Sequence, residues 1–385
     1  MADFVFDLSP KIISGTDVLL SLGEVASSYG SRFMLILDPS FKDVDLVVKI
    51  KQSLEQKGLK LFSFDALKKS PDTETILRVL RLAEAAHIDG VVVLGDVIAC
   101  SVAKAVASLY NEKETIYTYL EGQPITEKPL PLIQIPTTCN NPFLFTNSIY
   151  ITDSRNRNVS ALKCRENTCP MVVFDSEVFK TLSLNKMREM LFSALTIATD
   201  AYISRRANFF SDALLKKALT LLQLALDDKQ DDLAGKTLEE ICVQCAVLLS
   251  IALPSSSAGL ATAVSTVANG RYDISFSAIL PVMLPYILRD SVSSNLQKVS
   301  EVASFFLEVP PDCASSDLEK TAMAGIDTIS EKLLKANLPA KLGSLELATD
   351  DLPPMAEAVL MIEFINYIPR SLTSLDVLEI LKKAY

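Results

Sequence analysis

The spacing of apolar residues changes period once along this 385-residue chain, near Ser183, and that change constrains the fold more than any other feature. Ahead of it, short continuous apolar runs alternate with helical patterns. Arg32 to Leu37, Leu59 to Phe64 and Gly90 to Leu94 read as strands, while Val44 to Lys57, Thr73 to Ala86 and Ser101 to Tyr110 repeat every three or four residues as helices do. Leu132 to Ile135 and Met171 to Phe174 read as later strands, with Ile149 to Thr152 as one arm of an intervening hairpin. Such alternation requires a parallel sheet covered on both faces. Beyond Leu184 only the helical period remains, over Lys186–Asn208, Ser211–Leu226, Leu238–Leu253, Leu280–Arg289, Leu296–Leu307, Glu319–Ala336 and Pro354–Asn366. The expected fold class is therefore α/β. A dinucleotide-binding-type parallel-sheet domain over residues 1–183 precedes an all-helical domain over residues 184–385, without internal repeats.

Charge and cysteine usage narrow the function classes. The net charge of −10 opposes nucleic-acid binding, which needs clustered Lys and Arg. Arg205-Arg206 reads as a solvated helix face. Seven cysteines, an odd number, fit reduced thiols better than a disulfide framework. Cys242 and Cys245 form a CxxC, but inside an apolar helical stretch, and Cys164 with Cys169 lacks a second ligand pair. No apolar run reaches the ~18 to 20 residues of a membrane span, and Met1 to Phe4 carries no basic region leading into an apolar core. The expectation is a cytoplasmic protein without nucleic-acid or membrane partners.

Five segments carry chemical information. Pro10 to Gly15 (PKIISG) reads as an opening strand and turn. Asp89 to Lys104 runs from a strand through Gly95-Asp96-Val97-Ile98 into a helix, the place where phosphates bind in a doubly wound sheet. Asp96 can cap that helix itself, for ~1 kcal/mol, so that an incoming phosphate meets like charge and competition for the same donors. Ile135 to Phe143 (IPTTCNNPF) follows the next strand, and Pro142 removes a backbone donor from it. Leu191 to Tyr202 is helical, with Ser193 and Ile197 one turn apart. Gly259 to Met283 carries Thr262, Thr266, Tyr272 and Phe276. The single histidine, His87, precedes the strand at Gly90 and reads as structural.

In order and spacing these segments resemble the iron-containing alcohol dehydrogenase family, whose fold is of the dehydroquinate synthase type. The resemblance implies NAD(P)-dependent oxidoreductase ancestry, a helical metal-binding domain, homo-oligomers, often homodimers, and an active cleft between the domains. It assigns cofactor contacts to Asp38, Gly95, Asp96, Thr137 and Thr138. Gly95, Ala103, Lys104, Pro136, Thr137 and Thr138 match the family's loops, whereas Asp96, Val97, Asn140 and Pro142 stand where it has glycines. It places the metal ligands at Ser193, Ile197, Thr262 and Phe276, and a further active-site histidine at Thr266. None of these side chains is a good ligand for Fe²⁺ or Zn²⁺, so neither metal is expected and no cofactor is favoured, with NAD(P) left as the open alternative.

Two functions follow. The first is a catalytically silent, metal-free member acting as a binding or partner protein, with a small ligand in the inter-domain cleft. The second is an active NAD(P)-dependent alcohol or aldehyde oxidoreductase with an atypical site, for which Lys104, Thr196, Thr266 and Tyr272 are the polar candidates. An obligate subunit of an active paralogue is a third arrangement.

Overall fold

The computed structural model describes residues 10–41, 44–227, 233–307 and 317–385. Residues 1–9, among them the four read for targeting, lie outside the described residues. The chain divides into two compact units between Leu182 and Ser183.

Among the described residues the first unit contains eight strands: β1 (Lys11–Gly15), β2 (Arg32–Leu37), β3 (Lys60–Phe64), β4 (Gly90–Gly95), β5 (Leu132–Pro136), β6 (Ser148–Thr152), β7 (Val159–Lys163) and β8 (Met171–Asp175). Its helices are α1 (Leu22–Ala26), α2 (Asp45–Glu55), α3 (Thr73–Ala86), α4 (Val97–Leu109), α5 (Ile116–Leu120) and α6 (Ser176–Phe179). Six strands form one parallel sheet in the order β1-β8-β5-β4-β2-β3, while β6 and β7 make the expected hairpin as a separate antiparallel pair. Every residue of β4, β5 and β8 is buried, as a sheet covered on both faces demands. The core beneath one face gathers Phe33, Leu35, Ile50, Val92, Ile133 and Val173.

Strand order decides where the loops meet. The chain leaves β2 for β3 on one side, then returns to β4 on the other side of β2. Connections therefore part in opposite directions beyond the carboxyl ends of β2 and β4, the place where open α/β sheets form crevices.

The second unit is helical: α7 (Leu184–Ile203), α8 (Phe209–Ala225), α9 (Leu238–Ala252), α10 (Leu260–Tyr272), α11 (Phe276–Ser304), α12 (Leu318–Lys335), α13 (Leu352–Val359) and α14 (Ser374–Ala384). Several boundaries differ from the sequence expectation. The separate helices expected over Leu280–Arg289 and Leu296–Leu307 are the two arms of α11, which breaks at the non-helical Asn295 (φ −150, ψ 53); Pro281 and Pro285 lie inside the first arm, which begins earlier than expected, at Phe276. The Pro354–Asn366 segment is the end of α13 followed by a 3₁₀ turn, Glu363–Tyr367. Helices α10 and α14 were not expected as such. The expectation about apolar runs also needs correction. Leu238–Ser255 is long and apolar enough, by length and composition alone, to cross a membrane, and 56% of it is buried inside the fold. In this unit it packs against α8.

Candidate functional site

Three of the sequence-assigned loops lie side by side at the carboxyl edge of the sheet. The Asp38 amide donates to Leu94 O at 2.9 Å, and the Thr137 amide donates to Gly95 O at 3.0 Å. These bonds line up Asp38, Gly95-Asp96 and Thr137-Thr138 across β2, β4 and β5. Gly95 is required by packing: a Cβ there would stand 2.3 Å from Ala99 Cβ and 3.2 Å from Asp38 Cβ.

The Asp96 carboxylate accepts from the amides of Ile98 at 2.9 Å and Ala99 at 3.1 Å, so the start of α4 is capped by its own chain. Asp38 Oδ1 accepts from the Ser40 amide and hydroxyl at 2.8 and 2.7 Å, closing a tight turn. Thr137 and Thr138 behave differently. Both hydroxyls are buried without a hydrogen-bond partner, and Thr137 is only 1% exposed. An unmet buried hydroxyl is costly, so this pair is the feature of the edge that calls for a ligand.

Lys104 lies in the interior of α4 with its ammonium wholly committed. Nζ donates to the carbonyls of Phe143 at 2.8 Å, Leu144 at 3.0 Å and Thr146 at 3.0 Å, using all three N–H bonds. Burial pushes its pKa down. The bonds fasten the 143–146 loop to α4, and this is the work the side chain does here.

In the helical unit the four positions assigned to metal ligands are filled and bonded. Ser193, Ile197 and Thr262 are fully buried, and Phe276 nearly so. Pro281 has no amide hydrogen, which leaves the Ser277 carbonyl, four residues earlier in α11, without its helical donor. The Ser193 hydroxyl stands 2.7 Å from that carbonyl and 2.7 Å from Glu189 O one turn back on α7. Thr196 does the same at Leu280 O (3.1 Å) and Phe192 O (2.9 Å). Two hydroxyls thus stitch α7 to the proline-bearing start of α11. Ser265 donates to Phe276 O from α10. Thr266 Oγ1 bonds back to Thr262 O at 2.7 Å, and the Tyr272 hydroxyl donates to Asp351 O at 3.3 Å, with burial raising its pKa. Every polar candidate in this unit already has a protein acceptor.

Asp200 is the residue whose role sequence reading missed. Helix α10 begins at Gly259, which has no side chain to cap it. Asp200 reaches across from α7, accepting from the Thr262 amide at 3.1 Å and hydroxyl at 3.0 Å, and from the backbone near Gly259 and Ala261. It is 3% exposed, and burial raises its pKa to about 6 despite those bonds. The readable signal was a capless glycine at a helix start.

Donor chemistry does not suit a metal. Ile197 and Phe276 offer no lone pair, and the Ser193 and Thr262 hydroxyls are engaged with carbonyl and carboxylate oxygens. Among the described residues no group of three or more His, Cys, Asp or Glu side chains gathers where a metal could sit. His87, expected to be structural, closes α3 in the left-handed region at φ 48.

Comparison with known proteins agrees along nearly the whole chain. Residues 9–176 match the family model described as iron-containing alcohol dehydrogenase, and residues 191–385 match that of the Fe-containing alcohol dehydrogenase family, C-terminal. The 1,3-propanediol dehydrogenase of Citrobacter freundii is 23% identical over 362 residues, 92% of each chain. Alcohol dehydrogenase 4 of Saccharomyces cerevisiae is 24% identical over 367 residues, 92% of this chain and 91% of the other. Among solved structures, an archaeal halo-thermophilic Red Sea brine pool alcohol dehydrogenase bound to NZQ superposes with a TM-score of 0.89 at 19% identity, over 100% of both chains. The sulfoacetaldehyde reductase of Bifidobacterium kashiwanohense in complex with NAD⁺ gives 0.83 at 16% identity, covering 100% of this chain and 99% of that one.

Proposed function

Since the chain belongs to the iron-containing alcohol dehydrogenase family, we propose that it keeps the family scaffold without the family's metal-assisted chemistry and works as a metal-free binding or partner protein. The observation that carries this reading is the state of Ser193, Ile197, Thr262 and Phe276. The resemblance assigns these four positions to metal ligands, and here they form closed core: two apolar side chains, one hydroxyl serving the carbonyl that Pro281 leaves unpaired, and one serving Asp200. A metal supplies a Lewis acid to an alcohol oxygen. Replacing its ligands with groups that bond to their own backbone turns the site into a packing element.

The same reading accounts for the turn after β4, where the Asp96 carboxylate takes the amides a pyrophosphate would use. Loss at both places favours a non-catalytic role over variation at one residue. Metal analysis of the purified protein, followed by titration with NADH and NADPH, tests the proposal. Less than stoichiometric iron and zinc, with no cofactor-dependent turnover of alcohols or aldehydes, is the expected result. Stoichiometric metal at a native site sinks it.

One observation favours the second reading, an NAD(P)-dependent oxidoreductase with an atypical site. The orphaned hydroxyls of Thr137 and Thr138 are polar capacity that the folded chain leaves unused. Saturable NADH binding, abolished by Thr138→Val without loss of fold, would move the assignment to that alternative.

A further inference from the structure

The loop that follows β5 carries polar groups that the fold leaves unmet. The Thr137 and Thr138 hydroxyls have no partner. Asn141, only 5% exposed, spends its Oδ1 on the Phe143 amide at 3.0 Å, while its Nδ2 shows no bond among the described residues. Across the sheet edge, the half-buried Asp38 uses only Oδ1, on Ser40, so its Oδ2 is open as an acceptor. Buried polar groups in folded proteins are nearly always bonded. This concentration lies where the connections from β2 and β4 part, the crevice of an open α/β sheet.

Neighbouring charges set what such a crevice accepts. Asp96 takes the amides of Ile98 and Ala99 at the start of α4, and Asp38 adds a second carboxylate. Burial raises the pKa of the Cys100 thiol, and Asp96 and Asp38 both add to that rise, which places the two carboxylates around one point. Lys104, the one cation of α4, is committed to three carbonyls. A phosphate here meets two negative charges and amides already taken. A hydroxyl meets an open carboxylate oxygen and two idle threonines. The dinucleotide implied by the family resemblance therefore disagrees with these residues at its phosphates, and only there.

We propose that this edge takes a phosphate-free nucleoside, its hydroxyls at Asp38, Thr137 and Thr138, and rejects the corresponding nucleotide. The inference rests on the metal-free binding reading given above and names the class of its ligand. Discrimination comes from Asp96, which holds the phosphate seat with the chain's own carboxylate.

The test is calorimetric titration of the full chain with adenosine and with AMP, beside metal analysis of the same sample. Saturable adenosine binding, at least about tenfold tighter than AMP, is expected. Thr137→Val should weaken adenosine by about fivefold or more without lowering the melting temperature, because the lost hydroxyl has no partner in the folded chain. Asp96→Ala should narrow the gap by strengthening AMP, and Asp96→Asn, which still caps α4, serves if the alanine variant perturbs the fold. The inference is overturned by no saturation at about 5 mM adenosine, by AMP binding as tightly as adenosine, or by unchanged adenosine affinity in folded Thr137→Val. Metal content separates the two failures. A metal-free protein that ignores adenosine loses this inference and keeps the proposed function, whereas stoichiometric iron or zinc removes both.

Discussion

The carboxyl edge of the sheet and the assigned ligand cluster of the helical unit differ in how completely their polar groups are met. At the sheet edge Asp96 and Asp38 are satisfied locally, yet the Thr137 and Thr138 hydroxyls are buried and unmet. In the helical unit Ser193, Thr196, Thr262 and Thr266 all find acceptors within the protein. The sheet-edge pair retains unused capacity for a ligand, whereas the hydroxyls at and beside the assigned ligand positions are spent on helix packing, and only Thr199, a neighbour on α7, is buried there without a partner among the described residues. Residues of the same chemical type therefore carry different meaning: a buried threonine points to a ligand only where its hydroxyl has nothing else to bond.

The largest effect should come from Lys104, which holds the sheet-edge loop in place. Lys104→Met removes three hydrogen bonds, leaving the Phe143 and Leu144 carbonyls only the weaker donors Thr146 Oγ1 (3.2 Å) and Gln134 Nε2 (3.3 Å), and should lower stability by about 2 to 3 kcal/mol, read as a shift in urea midpoint. A midpoint within experimental error of the parent would mean that the 143–146 loop does not depend on the ammonium.

Asp200 gives a pH signature within the helical unit. Its folded pKa, about 6, lies above the ordinary value of 3.8. The native state therefore holds the proton more tightly than the unfolded chain. The stabilisation this brings is full below pH 3.8 and is lost as pH rises through about 6. Asp200→Asn removes that dependence, so the stability difference between parent and variant should change by on the order of 2 kcal/mol between pH 4 and 7. Parallel pH profiles for the two proteins would contradict the assignment.

Thr262→Val and Thr137→Val set the two regions directly against each other. The first removes the hydroxyl bond to Asp200 while the Thr262 amide bond stays, and should cost about 1 to 2 kcal/mol. The second deletes a hydroxyl with no partner and should be neutral, or stabilising by about 0.5 kcal/mol, in thermal or urea melts of the ligand-free protein. Equal losses in both would erase the distinction. Asp96→Ala falls between them, at about 1 kcal/mol for the lost cap of α4. If Asp96 is what excludes a phosphate, the same variant should bind NADH more tightly than the parent.

Much of the fold was legible because burial on both faces of a parallel sheet leaves continuous apolar strands such as Gly90–Gly95, and amphipathic helices such as Thr73–Ala86 carry a clear period. Helix α10 was hidden for the opposite reason: Leu260 through Gly270 are all buried, and its only polar stripe, Thr262, Ser265, Thr266 and Asn269, carries no charge to mark a solvent face. The contact between α7 and α11 was hidden too. Nothing local shows that Ser193, 84 residues before Ser277, sits against the carbonyl that Pro281 orphans.

The sequence by itself determined the change of architecture near Ser183, the capping power of Asp96 and the chemical poverty of Ser193, Ile197, Thr262 and Phe276 as ligands. These follow from side-chain identity and short-range spacing, which the linear chain contains in full. Tertiary structure alone decided which hydroxyls are spent and which are idle, that Lys104 is a staple, and that Asp200 caps a helix beginning 60 residues away. Whether a polar group has a partner depends on what the fold brings within 3 Å of it, and that distance is a property of packing.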